Sequence, residues 1–450
     1  MKLKVGRTIL IGMAFLSISA FWQMYDNIIP LILEQTFDLG ETITGVIMAM
    51  DNVLALFLLP LLGSLSDKVN TQWGKRTPFI VGGTILAVLF MMMLPVSERA
   101  EDLTVFIICL FGTLVAMGLY RSPAVALMPD LTPNKLRSKG NAVINLMGAV
   151  GGVYTLIMIK VLVKSGDRPD YRPLFISLAA LMIGAVLVLV LTINERKVKA
   201  KVAAEVAAYE KENGISEEGA ALEQTEINKT KTEEVANEDA AATKKAMPKD
   251  VKRSIFFLLA SIFLWFTAYN AVTTAFSRYT KVVWHLEGGG FADCLMVATV
   301  AAIISYIPIG NLASKVGRKK TILFGIVLMS SCYFAAIFAG SYHGIINLAF
   351  AAIGVGWAAI NVNSYPMVVE MAKGCDIGKY TGTYYTFSMT AQILTPVLSG
   401  FLLENVSYRT LFPYAFVFSA LAFITMSQVR HGDVRPDKKK SVLENFDVED

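Results

Sequence analysis

The stretch Gly63-Ser64-Leu65-Ser66-Asp67-Lys68-Val69, continued at Gly74-Lys75-Arg76, returns in the second half of the chain as Gly310-Asn311-Leu312-Ala313-Ser314-Lys315-Val316-Gly317-Arg318-Lys319. The first copy has four extra residues, Asn70 to Trp73. Each copy lies where one long apolar run ends and the next begins, on the same side of the apolar pattern. This argues for duplication of one unit, and parallel repeats about an axis along the membrane normal are a transporter signature. Glycine lets two helices approach closely. Asp67 can pair with the basic loop residues and face a helix N-terminus. We expect Gly63, Asp67, Lys75, Arg76, Asp130, Arg137, Lys315, Arg318 and Glu370 to latch the two halves together on this side, the contacts breaking when this side opens. Ser314 stands where the first copy has its acid, so the latch should be asymmetric.

The surroundings fit. Of 450 residues, 54% are hydrophobic and 17% charged, with a mean hydropathy of +0.53. That excludes a disordered chain, a disulfide-stapled secreted domain and an ordinary cytosolic enzyme, and fits a polytopic membrane protein. A crossing helix needs about 20 apolar residues. Twelve runs qualify: 8–33, 41–63, 77–96, 103–128, 139–163, 172–193, 253–277, 291–312, 320–339, 344–367, 380–402 and 409–428. The first continues too long for a signal-peptide core. Alternate connections are basic: Lys2, Lys4, Arg7; Lys68, Lys75, Arg76; Lys135, Arg137, Lys139; Lys315, Arg318, Lys319, Lys320; Lys373, Lys379. The first opposite loop carries only the acids Glu34, Asp38 and Glu41. By the positive-inside rule the basic loops and both termini face the cytoplasm, as in a multi-pass protein of the inner (plasma) membrane. The loop with Lys164, Arg168 and Arg172 is a small exception.

The net charge of +5 is therefore read as a topology signal, with no nucleic-acid partner. The expected organisation is a six-helix bundle at 1–193, a charged cytoplasmic linker at 194–252, a second six-helix bundle at 253–430 and a cytoplasmic tail at 431–450. Cys109, Cys294, Cys332 and Cys375 have no metal or redox spacing. We expect no metal, no cofactor beyond a coupling proton, no enzymatic activity and a monomer in the bilayer.

The pattern Gly-x-x-x-Asp-basic…Gly-basic-basic between the second and third helices, on twelve helices split six and six, resembles the major facilitator superfamily. The resemblance covers the whole chain and implies an all-α membrane protein of two pseudo-symmetric six-helix bundles. Gly63 to Phe79 (GSLSDKVNTQWGKRTPF) and Arg121 to Gly140 (RSPAVALMPDLTPNKLRSKG) resemble the sucrose and glycoside–proton symporter branch that includes the plant sucrose transporters. This implies uptake of a disaccharide or related glycoside, of the sucrose or maltose class, with a proton.

Ionisable residues at membrane depth cost several kcal/mol and are functional candidates. Asp26, Asp51 and Arg121 are the ones here. Lys160 and Arg278, near outer helix ends, read as snorkelling side chains. Ser19, Gln23, Asp26, Asn27 and Pro30 recur at helical spacing with Trp22 and Tyr25 alongside, a stripe suited to sugar hydroxyls and a C–H face. Burial disfavours a charged carboxylate and a nearby arginine favours it, so Asp26 or Asp51 can alternate between a protonated and an Arg121-paired state. Helical rise puts Arg121 roughly 15 Å along the axis from Asp26 and roughly 10 Å from Asp51. In the plant sucrose symporters the proton carboxylate lies in the fourth helix shortly before the Arg121 position. Here that stretch reads Thr113-Leu114-Val115-Ala116-Met117-Gly118, which moves the role to Asp26. The resemblance also places the first helix of each three-helix repeat at the cavity. Gln23, Tyr25, Asn27, Arg121, Trp265, Tyr269, Asn270, Trp357, Asn361 and Gln392 are the substrate-binding candidates. Asn141, Asn145, Gly148 and Gly152 read as a close-packing stripe.

Three other functions compete. A sodium-coupled symporter of the melibiose type would carry a carboxylate one turn before the loop glycine, where this chain has Leu59 and Pro60. Efflux of an amphipathic compound suits Met91, Met92 and Met93. A sensor or membrane enzyme finds no nucleotide loop, metal cluster or nucleophile–base set.

Overall fold

The computed structural model describes residues 3–69, 71–133, 136–166, 168–212, 248–372 and 377–433. Lys2, Lys135, Lys373, Cys375, most of the expected linker and nearly all of the tail lie outside the described residues. Within them the helices are α1 (Val5–Gln35), α2 (Glu41–Lys68), α3 (Thr77–Arg99), α4 (Leu103–Asp130), α5 (Arg137–Leu162), α6 (Arg172–Thr192), α7 (Glu195–Glu212), α8 (Lys249–Trp284), α9 (Ala292–Val316), α10 (Arg318–Ile337), α11 (Ile346–Met371), α12 (Ile377–Asn405) and α13 (Leu411–Ser427). All but α7 belong to the 12 helices long and apolar enough to cross a membrane. Helices are what hydrocarbon allows, because each satisfies its backbone groups internally.

All twelve expected spans are present, and the differences lie at their ends. The seventh span, α8, runs 36 residues to Trp284, because Arg278 and Lys281 end the apolar count without ending the helix. The second continues past Gly63 to Lys68. Polar α7 occupies the start of the expected linker.

Packing repeats the duplication pair by pair. In the first half α1 packs on α5 and α6, α2 on α4, and α3 on α4 and α6. In the second half α8 packs on α12 and α13, α9 on α11, and α10 on α11 and α13. These are the same partnerships shifted by one six-helix unit. Across the halves α2 meets α12, α5 meets α9, and α1 meets α8. The first two contacts exchange under the same pseudo-twofold.

The α1–α5 seam is built on small residues, as expected. A Cβ on Gly151 would lie 2.0 Å from the Leu16 carbonyl oxygen, and one on Gly148 would lie 2.8 Å from Ser19 Oγ. Gly151, unmarked in the sequence reading, makes the closest approach.

The halves are sealed at one end. On the face opposite the basic loops, here the opposite face, Arg278 Nε lies 2.9 Å from Glu41 Oε2 across the interface. The Thr42 backbone N–H donates to Glu404 at 2.7 Å. Lys160 pairs with Asp293 at 2.7 Å, and the Gly289 N–H donates to the Val163 carbonyl at 3.1 Å. Towards the basic face α2 loses this cover: its buried residues are Glu41, Thr44, Gly45, Met48 and Ala49, and after them only Ser66.

Candidate functional site

The half-accessible residues of α1 include Ser19, Trp22, Gln23 and Asp26. Spaced three and four apart, they share one face. Tyr25 and Asn27 do not share it. Tyr25 is 1% exposed, stacks on Phe21, and its hydroxyl donates to the Met48 carbonyl at 3.4 Å. Asn27 is also 1% exposed, and its amide donates to the Gln23 carbonyl at 2.9 Å. In this conformation both serve helix packing, since α1 has neighbours on several sides.

Asp26 lies nine residues before the end of α1 at Gln35, and Asp51 ten after the start of α2 at Glu41. The two therefore sit at matching depth, a relation that the shorter expected first span obscured. Each is half-buried, and Asp51 lies within electrostatic reach of Asp26. Asp51 also accepts from the Asn52 amide at 2.7 Å and lies within electrostatic reach of Arg121. The Arg121 guanidinium carbon lies 5.7 Å from the Trp22 ring centre, a cation–π contact one turn of α1 below Asp26.

In the second half Phe266, Tyr269, Asn270 and Thr273 make a half-accessible stripe on α8. Tyr269 stacks on Trp357 with ring centres 3.8 Å apart and planes at 4°. Phe266 meets Trp357 edge-on at 5.3 Å. Trp265 is 1% exposed and packed in the core. Its Nε1, the Asn270 amide nitrogen and Trp22 Nε1 are buried atoms without a hydrogen-bond partner among the described residues. Asn361 is buried, 3% exposed. The Gln392 amide reaches the Ser388 carbonyl at 3.5 Å within α12. Of the α3 methionines Met91 is fully buried and Met93 is exposed, and α3 packs on α4 and α6.

The basic latch residues find partners within their own halves. Arg76, buried at the start of α3, bridges Asp67 and Asp130, the latter at 3.0 Å, and donates to Ser66. Lys75 Nζ donates to the Asp67 carbonyl at 3.3 Å, and Arg137 to the Pro129 carbonyl at 3.2 Å. A Cβ on Gly63 would meet Ser122 Oγ at 3.0 Å. In the second copy Arg318 has Glu370 at 4.0 Å and donates to the Pro366 carbonyl at 3.2 Å. Lys315 is exposed. The pairs thus differ between the copies, two carboxylates on Arg76 against one at 4.0 Å from Arg318, and none of these pairs joins the two halves.

The sequence reading missed two members of this motif. Glu195, 5% exposed, accepts from the backbone N–H groups of Lys75, Arg76 and Thr77. Asp433 accepts from the Lys319 N–H at 2.9 Å. Each acid follows the sixth helix of its half and faces the N-terminus of the third, where a carboxylate is favoured. Gly74 and Gly317, both at positive φ, leave room for them: a Cβ would lie 2.1 Å from Glu195 Oε2 and 2.5 Å from Asp433 Oδ1. The signal was there, an acid just after the sixth helix in both repeats, but its partner is distant in sequence.

Arg278, read as snorkelling, is 4% exposed and ion-paired. The basic exception at the opposite face is charge-compensated. Arg168 pairs with Glu101, and hydrogen bonds from Arg172 push the Asp170 pKa down to about 2.

The Major Facilitator Superfamily profile matches residues 11–301 and 285–446. The chain is 29% identical over 101 residues to the chloramphenicol resistance protein CraA of Acinetobacter baumannii, covering 22% of this chain and 24% of that protein. It is 23% identical over 171 residues to the sucrose transport protein SUT1 of Oryza sativa subsp. japonica, covering 34% and 31%. The chain spans well under half the length of these relatives. Among solved structures, the peptide transporter POT in complex with sulfate superposes with a TM-score of 0.64 at 13% identity, covering 94% of this chain and 93% of that one. The xylose transporter XylE from E. coli superposes with a TM-score of 0.61 at 12% identity, covering 94% and 98%. At such identities the likeness shows the fold. With twelve membrane helices in two matched bundles, the repeated loop motif and a profile match along nearly its whole length, the chain belongs to the Major Facilitator Superfamily.

Proposed function

We propose that this transporter takes up a disaccharide or related glycoside together with a proton, by alternating access. One observation carries the reading: Asp26 of α1 and Asp51 of α2 sit at matching depth, with Asp51 in electrostatic reach of Asp26 and Arg121 in reach of Asp51. A membrane-embedded carboxylate is costly unless its charge can be removed or matched. Arg121 and a proton supply the two alternatives, and a shared site for both would tie proton release to movement of the halves. The stripe of Trp22, Gln23 and Asp26 offers chemistry suited to a neutral polyol. Unpartnered amide and indole N–H groups, Asn270 and Trp22 among them, are donors for hydroxyl oxygens, and the Trp357–Tyr269 stack is an apolar platform. The partial likeness to sucrose transport proteins supports the substrate class. At 100 mV one inward charge contributes about 2.3 kcal/mol, enough for roughly fifty-fold accumulation of a neutral sugar. In this reading the protein is a monomer of the inner (plasma) membrane, with the basic face and both termini cytoplasmic, and the conformation described is open to the cytoplasm.

The test is uptake of labelled sucrose and maltose into proteoliposomes under an inward proton gradient without sodium. Accumulation with lumenal acidification supports the proposal. Uptake that needs sodium, or none across a panel of glycosides, overturns it. Efflux of an amphipathic compound is the second reading, favoured by the match to CraA. Proton-driven export of chloramphenicol without sugar uptake would establish it.

A further inference from the structure

We propose that Glu41 and Arg278 form the lock of the opposite face, the ion pair that must part for that side of the transporter to open. Their side chains are each 4% exposed, and they join α2 of the first half to α8 of the second. Around this pair the carboxylates and their donors come from different halves. The first half supplies the carboxylates Glu34 and Glu41. The second supplies Arg278 and the Tyr408 hydroxyl, which donates to Glu41 at 2.6 Å and lies 3.5 Å from Glu34. Lys281 of α8 is also within electrostatic reach of Glu34. Immediately outside is a vestibule of about 620 Å³ lined in part by Glu34, Glu41, His285, Glu404 and Tyr408. Two turns further in on α2 is Met48, 4% exposed, whose carbonyl accepts from Tyr25 of the same half. The lock thus separates the vestibule from the level of Asp26 and Asp51.

The pair is built to part. Arg278 Nε and Glu41 Oε2 are in charge contact, but their geometry falls short of a hydrogen bond, and Arg278 Nη1 has no hydrogen-bond partner among the described residues. A buried pair with unmet hydrogen-bonding capacity gains little over its hydrated partners. Opening would hydrate both groups from the vestibule. While this face is shut, removing Glu41 takes the paired carboxylate from Arg278 and leaves it Glu34 in electrostatic reach, and removing Arg278 leaves Glu41 with the Tyr408 hydroxyl but without this counter-charge. Water restores either loss once the face opens, so each change favours the open state. Steric fit adds a second closure: a Cβ on Gly45 would lie 2.2 Å from the Pro396 carbonyl oxygen, and one on Gly400 would lie 2.4 Å from that of Glu41.

The inference needs a transporter but no particular substrate or coupling ion, so it and the proposed function can fail separately. The experiment uses the full chain in vesicles, with Cys109, Cys294, Cys332 and Cys375 replaced by serine and Met48→Cys as reporter. An impermeant maleimide is added from the vestibule side without substrate. Glu41→Gln and Arg278→Met are each expected to raise the labelling rate about ten-fold, the response to a shift of about 1.4 kcal/mol in a two-state equilibrium. Exchanging the charges, Glu41→Arg with Arg278→Glu, should bring the rate back towards that of the parent. Gly45→Ala should raise it by the separate steric route. Unchanged rates in both charge variants overturn the proposal, whatever Gly45→Ala does. A rise that the charge exchange fails to reduce also overturns it, because loosened packing would then be the cause.

Discussion

Asp26 sits on the accessible face of α1 one turn from Trp22, which carries the Arg121 guanidinium over its ring. If this carboxylate takes the proton, Asp26→Asn should abolish accumulation against a gradient while leaving sugar counterflow intact, because an amide holds the protonated shape but cannot discharge. Equal accumulation by variant and parent would transfer the role to Asp51. Trp357 offers a different test. Its parallel stack on Tyr269 is an aromatic contact of about 0.5–1.5 kcal/mol beyond its area. Trp357→Ala should raise the half-saturating sugar concentration by about ten-fold for a loss of about 1.4 kcal/mol, with less effect on maximal rate. A fall in maximal rate alone would point to a packing role. At this scale the sequence reading identified polar side chains without their orientation. Tyr25 and Asn27 share a stretch of helix with Gln23 and Asp26. Only the neighbours of α1 decide that they turn into packing while Gln23 and Asp26 remain accessible.

Between elements the controlling quantity is backbone separation. At Gly151 the Leu16 carbonyl of α1 leaves no room for a methyl group. Gly151→Ala should lower thermal stability in detergent by about 1–3 kcal/mol, the usual cost of overpacking. A Cβ on Gly184 would meet nothing within 4 Å among the described residues, so Gly184→Ala should leave the melting temperature unchanged or slightly raised. Gly148 and Gly152 announced this seam through helical spacing. Gly151 escaped because which glycine points at the partner depends on the rotation of α5, and that is fixed by packing. The length of α8 follows similar logic: Arg278 reads as the end of an apolar span until Glu41 is found opposite it.

For the molecule as a whole, duplication sets the architecture and departures from it set the mechanism. Arg76 is buried between two carboxylates, whereas Arg318 has one at 4.0 Å. Arg76→Ala should therefore cost about 1–2 kcal/mol, because it removes charge-assisted hydrogen bonds to Asp130 and to buried Ser66, and Arg318→Ala under about 1 kcal/mol. Thermal unfolding of the two variants side by side checks this, and equal losses would contradict the asymmetry. The repeated loop, the twelve apolar runs and the scarcity of membrane-embedded charge were all legible in the linear chain. Each is a local pattern, either the length of an apolar stretch or the identity of a few adjacent residues, and hydrocarbon permits only one kind of answer to it. The pairing of Glu41 with Arg278, and of Glu195 and Asp433 with helix ends in their own halves, was decided in three dimensions. Those contacts join residues far apart in sequence, and their existence depends on how two bundles rotate, tilt and close on one another.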